Sequence, residues 1–92
     1  MKYYVYMLTT VNNTALYIGV TNNLSRRISE HKSGALEGFT KRYKVHKLVY
    51  FETFDNVKYA IAREKQLKGL TRAKKNKIIN EVNPDWDELN PM

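Results

Sequence analysis

Five side chains in this sequence are of types that could do chemistry together: the phenols of Tyr6 and Tyr17, the guanidinium of Arg27, the imidazole of His31 and the carboxylate of Glu64. Splitting a phosphodiester takes an activated water, relief of charge on the phosphate and help for the leaving oxygen. A divalent ion can supply the last two. Magnesium keeps several of its waters, so one carboxylate plus substrate oxygens can hold it, and Glu64 is the candidate ligand. The fork of Arg27 suits phosphate oxygens as negative charge builds. His31 could relay a proton or hold the phosphate. Tyrosine at its ordinary pKa of roughly 10 is a poor base, and a nearby cation improves it.

The elements that must position these groups can be read from periodicity. Tyr3–Thr9 and Ala15–Val20 are β-favouring runs. Thr10–Thr14 separates them, with Asn12-Asn13 at its centre, and asparagine tolerates the left-handed conformations of tight turns. A loop made of those two asparagines sets Leu8 opposite Tyr17 and Tyr6 opposite Gly19. Tyr6 and Tyr17 then share a face, with Gly19 leaving space above the backbone. One more residue in the loop would put the two tyrosines on opposite faces.

A helix follows, for which Thr21, Asn22 and Asn23 offer caps. Its inner stripe is Leu24, Arg27, Ile28 and His31, while Ser25, Arg26, Ser29, Glu30 and Ser33 point outward. Two polar groups on the inner stripe cost free energy unless they are partnered. The plain alternative is an arginine that snorkels outward beside a satisfied histidine. A second helix, about Asn56–Lys68 and capped by Asp55, repeats the anomaly: Val57, Ala60, Ile61, Glu64 and Leu67 form its stripe, with Lys68 beside it. Glu64 could simply pair with Lys68 one turn on. Yet Arg27 and His31 complement Glu64 in charge, so the two helices together suggest either a site or a buried ion pair.

The remaining chain supplies the frame. Lys32–His46 is expected as a connector broken by Gly34 and Gly38 and carrying the basic run Lys41-Arg42-Tyr43-Lys44. Aromatics among cations suit a nucleic-acid groove. Phe39 is expected to anchor the connector to the core, with Tyr43 open to either role. Lys47–Phe54 is apolar on both faces and predicts a central or covered strand. Thr71 caps a third helix to about Val82, with Ile78, Ile79 and Val82 inward. From Arg63 to Lys77 seven of fifteen residues are Lys or Arg, a solvated face or a phosphate-attracting rim. An acidic tail, 83–92, is expected to dock through Trp86 and Leu89. This order of elements, β-β-α-β-α-α, predicts an α+β domain: a small three-stranded, mostly antiparallel sheet flanked by three helices.

Composition bounds the function. Ninety-two residues make one domain, 1–92, and 42% apolar content fills one modest core. No cysteine is present, which removes disulfides and thiolate metal sites and suits a reducing cytoplasm. No segment has the make-up of a signal peptide or the length of a membrane span. The formal net charge of +7 favours polyanionic partners. Glycine-rich phosphate loops, G-x-S-x-G and paired histidines at metal-ligand spacing are absent, His31 and His46 being the only histidines.

Tyr4-Val5-Tyr6, ten residues, Tyr17-Ile18-Gly19, then Arg27, His31 and Glu64 resemble the GIY-YIG nuclease superfamily, most closely its small stand-alone UPF0213 (YhbQ-like) branch. Tyr43–Phe54, Ala62–Glu64 and Asn83-Pro84-Asp85-Trp86 extend the likeness over most of the chain. Tyr4 stands where the first motif usually has glycine, although this branch commonly departs there. The resemblance implies that a motif tyrosine activates the water, Tyr6 in the lead with Tyr17 assisting, and that Glu64 ligates one Mg2+ or Mn2+. It also implies an asparagine after the glutamate: Asn83 fits the pattern, with Asn76 and Asn80 as rivals. Expected, then, is a monomeric, metal-dependent endonuclease acting on DNA, or on RNA, with low sequence specificity and no small-molecule cofactor. Lys41, Arg42, Tyr43, Lys68, Arg72 and Lys74 are the expected nucleic-acid contacts. The rival readings are a non-catalytic nucleic-acid-binding module and an adaptor for an acidic protein.

Overall fold

The computed structural model describes residues 1–35 and 38–91. Leu36 and Glu37 of the predicted connector and Met92 of the predicted tail lie outside the described residues. Strand β1 (Tyr3–Thr9) is the centre of the molecule: Val5, Tyr6, Met7 and Leu8 are each 1% exposed or less, so it is buried on both faces. Strand β2 (Leu16–Thr21) and strand β3 (Lys47–Phe54) flank it, both antiparallel, in the order β2-β1-β3. Helix α1 (Leu24–Ser33) packs Leu24 and Ile28 on one face, with Tyr6, Leu8, Val45 and Leu48. Helices α3 (Val57–Lys68) and α4 (Arg72–Val82) cover the other with Ala60, Leu67 and Ile79, against Val5, Met7, Ile18 and Val49. The α+β class and the three-stranded antiparallel sheet are as expected.

Four helices are described where three were expected. The addition is α2 (Phe39–Tyr43), a five-residue helix inside the predicted connector, entered from Gly38 at φ 103° and closed by Lys44 in the left-handed region. It is too short to show an amphipathic period. The expected register holds, with Leu8 opposite Tyr17 and Tyr6 opposite Gly19. Pairing stops at Thr9–Leu16, however, so the loop is Thr10–Ala15, longer than two asparagines but leaving the alignment intact. Asn13 takes the left-handed conformation (φ 62°) and donates its N–H to the Thr10 carbonyl at 3.0 Å.

Of the two places expected for β3, central or covered, it takes the second: it is an edge strand, apolar on both faces because helices cover both sides of the sheet. Its ladder with β1 carries a bulge at Val49, between Tyr50 opposite Met7 and Leu48 opposite Leu8. Expectations about one cap and two stripes are corrected. Asn56 caps α3, accepting from Lys58 N, while Asp55 pairs outward with Lys2 at 2.6 Å. Val57 and Ile61 are each 40% exposed and Val82 is 69% exposed, so the apolar stripes of α3 and α4 are narrower than predicted. In the tail Trp86 is buried and Leu89 packs on the Tyr6 cluster. Among the described residues no helix is long and apolar enough to cross a membrane.

Candidate active site around Tyr6 and His31

β1 turns Tyr6 towards α1, and α1 turns His31 inward on the stripe that Leu24 and Ile28 define; His31 is 4% exposed. Asn23 starts α1 by accepting from Arg26 N at 3.1 Å, and Gly34 ends it in the left-handed region, which sets the helix length that places His31. The Tyr6 hydroxyl and His31 Nε2 are 3.0 Å apart and hydrogen-bonded, the donor following the imidazole tautomer. His31 Nδ1 is bonded at 3.0 Å to the hydroxyl of Thr40, a buried residue of α2. Tyr17 lies beside both rings, with centroids 6.3 Å from Tyr6 and 5.4 Å from His31. Gly19 makes this possible. A Cβ there would stand 2.5 Å from the Tyr6 oxygen and 3.1 Å from the Tyr17 ring.

Burial first, and then Tyr17, push the Tyr6 phenol well above its ordinary pKa; Arg27 opposes them without prevailing. The cation expected to activate this tyrosine is therefore outweighed in the free chain. Burial likewise lowers His31, helped by Arg27, so the imidazole is neutral at pH 7. A neutral phenol bonded to a neutral imidazole can pass a proton when a bound cation shifts the balance.

Arg27 and Glu64 do not form the direct pair that charge complementarity suggested. Arg27 Nε lies 3.4 Å from Glu30 Oε1, outside hydrogen-bonding geometry, and this buried N–H has no hydrogen-bond partner. An unmet buried donor of this kind costs free energy and calls for a partner. Glu64, with its side chain 15% exposed, meets Lys68 Nζ at 3.0 Å. Both Arg27 and Glu64 act electrostatically on the Tyr6 phenol, in opposite senses. Lys68 lines an open groove of about 240 Å³ with Leu16, Tyr17, Ile18, Phe39 and Lys75. Leu16 and Ile18 belong to the α3 side of the sheet and Tyr17 to the α1 side, so this groove crosses the free edge of β2. That edge is where a carboxylate on α3 and a phenol facing α1 can serve one ligand.

The fit of a divalent ion rests on these donors. Among the described residues no group of three or more acidic or histidine side chains converges. Glu30 and Glu64 are the carboxylates that act on the Tyr6 phenol, and Glu64 alone lies on the α3 side; a single carboxylate suits a hard ion that retains its waters.

The asparagines are engaged elsewhere. Asn83 Nδ2 donates to the Val49 carbonyl at the bulge (2.9 Å) and to Asp87 O (3.0 Å), while Asp87 N donates to Asn83 Oδ1. Asn80 accepts from the Trp86 indole at 2.5 Å, and Asn76 accepts from Arg72 Nε at 2.9 Å. None of the three is brought to the Tyr6–His31 pair. Of the basic residues, Arg72 reaches the carbonyls of Asn13 (2.8 Å) and Thr14 (3.2 Å) and fastens the β1–β2 loop. Lys74 is exposed on α4. Lys41, Arg42 and Tyr43 line an open groove of about 630 Å³ on α2 with Gly38 and Phe39. Phe39 is 46% exposed and meets the Tyr43 ring in a tilted contact, centroids 5.0 Å apart, so it is a groove residue and not the predicted core anchor. Arg42 lies 5.5 Å from the Tyr43 ring centroid. Thr40, Glu30 and Phe39 were missed as site residues. A lone histidine on an inner stripe, which needs a partner for each ring nitrogen, was the available signal for Thr40.

Comparison with known proteins identifies the family. Residues 2–78 match the model of the GIY-YIG catalytic domain. A UPF0213 protein of Clostridium perfringens is 43% identical over 77 residues, covering 84% of this chain and 82% of that protein. A UPF0213 protein of Syntrophus aciditrophicus is 39% identical over 85 residues, 91% of this chain and 95% of that one. The solution structure of a UPF0213 protein from Bacillus halodurans superposes with a TM-score of 0.61 at 28% identity, covering 96% of this chain and 93% of that chain. This chain belongs to the UPF0213 group of proteins and carries the GIY-YIG catalytic domain of the nuclease superfamily.

Proposed function

We propose that this chain is a single-domain, divalent-metal-dependent endonuclease of the cytoplasm that hydrolyses DNA phosphodiesters with little sequence preference, in DNA repair or processing. The observation that carries the reading is the Tyr6–His31 hydrogen bond, 3.0 Å, seated over Gly19 and beside Tyr17 and the unmet Arg27 donor. Glu64 would hold one Mg2+ or Mn2+, which when bound shields the phosphate charge and eases departure of the leaving oxygen. Arg27 turns its free N–H to a non-bridging phosphate oxygen and stabilises the charge that builds there. Tyr6 takes a proton from the attacking water and is relieved of its own through His31, whose Nδ1 is held by Thr40. Tyr17 walls the site and orients the phosphate. Lys68 and Lys75 draw the backbone into the groove at the β2 edge.

The test is incubation of the purified protein with single-stranded, duplex and branched DNA in Mg2+ or Mn2+. Cleavage is expected, lost in Glu64→Gln and Arg27→Ala variants that keep the parent melting temperature. No cleavage of any substrate with either metal would sink the reading. The second reading, a binding module without catalysis, is favoured by one observation: Phe39, Tyr43 and Arg42 form an exposed aromatic and basic groove that needs no Glu64.

A further inference from the structure

α3 carries Glu64 yet has little of its own to fix its rotation. Only Ala60 and Leu67 along its twelve residues are fully buried, and Val57 and Ile61, the stripe neighbours of Glu64, are each 40% exposed. Apolar burial on so narrow a stripe would hold the helix on the sheet and leave its azimuth loose. A polar clamp is present one residue before Glu64. Arg63 Nε lies 3.0 and 3.1 Å from the two oxygens of Glu52 on β3, and Arg63 Nη2 lies 2.9 Å from Glu52 Oε2. Both side chains are partly shielded, at 27% and 22% exposure. The Tyr50 hydroxyl adds a bond to Glu52, and Arg63 Nη1 donates to Gln66 at 2.8 Å. Although burial pushes Glu52 up, the hydrogen bonds from Arg63 and Tyr50 prevail and hold it ionised.

Consecutive residues on a helix point about 100° apart, as 3.6 residues per turn requires. A helix whose Arg63 is locked onto one edge strand, β3, therefore directs Glu64 away from that edge. The direction found is the opposite edge, β2, where Lys68, one turn on from Glu64 and paired to it, shares a groove with Tyr17. We infer that the Tyr50–Glu52–Arg63 clamp is a positioning device that fixes the rotation of α3 and so presents the Glu64 carboxylate to the metal and the scissile phosphate. The inference rests on the reading of Glu64 as a metal ligand and adds to it Glu52 and Arg63, which touch neither substrate nor metal. A planar, bidentate clamp suits this task because it resists twisting, which a single lysine bond does not.

The experiment measures Mn2+ binding directly, by paramagnetic broadening of the backbone amide signals of Glu64 and Tyr17 in the full chain, beside cleavage. In the parent the two signals should broaden at low Mn2+ concentration. In Glu52→Gln and Arg63→Lys they should need at least fivefold more Mn2+, and the Mg2+ for half-maximal cleavage should rise by a similar factor. KM for DNA and the melting midpoint should move little. Arg63→Lys keeps the charge while losing the fork, so it decides the matter should Glu52→Gln fail to fold. Unchanged broadening in folded variants would overturn the positioning role while leaving Glu64 as the ligand. Absence of broadening in the parent would overturn both, and cleavage by that same parent would then show where the fault lies.

Discussion

On one face of the sheet Val5, Met7, Ile18 and Val49 meet Ala60, Leu67, Ile79 and Trp86 in an apolar cluster. On the other, Leu8, Leu24, Ile28, Val45 and Leu48 surround a chain of hydrogen bonds from Tyr6 through His31 to Thr40. The strand between them is the same β1, alternating its side chains to each. An apolar face tolerates any filling of the right volume, and its stability is set by shape. The polar face has no such latitude, since each buried donor or acceptor left unmade costs roughly 1–3 kcal/mol. That network is complete at Tyr6, His31 and Thr40 and incomplete at Arg27 Nε. The incomplete position is the one that the proposed mechanism gives to the phosphate.

The largest way to break this division is chemical. Glu64→Gln or Arg27→Ala should lower cleavage by roughly two to three orders of magnitude, the usual cost of removing one charge-stabilising group. Thermal melts should barely move, because neither group completes the buried network; a melt lowered by several kcal/mol would place them in the frame. Next comes Leu67→Ala on the other face, expected to cost about 2–5 kcal/mol in denaturant titrations while the rate per folded molecule stays at the parent value. Gly19→Ala should fall between the two: about 1–3 kcal/mol lost to overpacking, with most activity lost because the added Cβ displaces the Tyr6 hydroxyl from His31. A Gly19→Ala protein with full activity would show that the Tyr6–His31 bond is dispensable.

The division was partly legible in the sequence. Alternation placed Tyr6 and Tyr17 on one face, and the helical stripe placed His31 opposite them; both depend on local periods of two and 3.6 residues. Gly19 carried its message too, as a residue without a side chain facing a large one. What periodicity cannot carry is which helix residue finds which strand residue. Arg63 with Glu52, eleven positions apart, and His31 with Thr40, across two glycines, are set by how elements dock. Glu30 looked outward by spacing and is nevertheless the nearest carboxylate to Arg27. Val57, Ile61 and Val82 were assigned inward because they are apolar, whereas a thin three-stranded sheet offers too little area to bury them.

Two smaller effects sharpen the comparison. His31 has its folded pKa lowered by burial and by Arg27, with Glu30 opposing and His46 adding to the fall. The unfolded chain therefore takes up the proton first, so the stability His31 contributes is complete above its ordinary pKa of about 6.5 and is lost as pH falls through the window below it. Melting curves across that window should show the decline in the parent and a shallower one in His31→Gln. Smallest is the salt response of DNA binding, about 0.7–0.9 log unit in affinity per log unit of salt for each phosphate met. Lys75→Ala, in the β2 groove, should reduce that slope by about one contact. Arg72→Ala should leave it alone, since its guanidinium is occupied by Asn13 and Thr14; an equal loss in both variants would merge the two classes of cation.

The bulge at Val49 has a consequence for the protein in bulk. β3, with the sequence KLVYFETF, is an edge strand rich in β-formers, the kind of segment that recruits further strands from neighbouring molecules into fibrils. Here the outward carbonyls of Leu48 and Val49 are already taken, by Leu89 N at 2.8 Å and Asn83 Nδ2 at 2.9 Å. The tail thus occupies the place where a second copy would begin to add. Trimming it before Asn83 should uncover those carbonyls, strip Trp86 and Leu89 from the two faces of the sheet, and shorten the time such a solution stays clear.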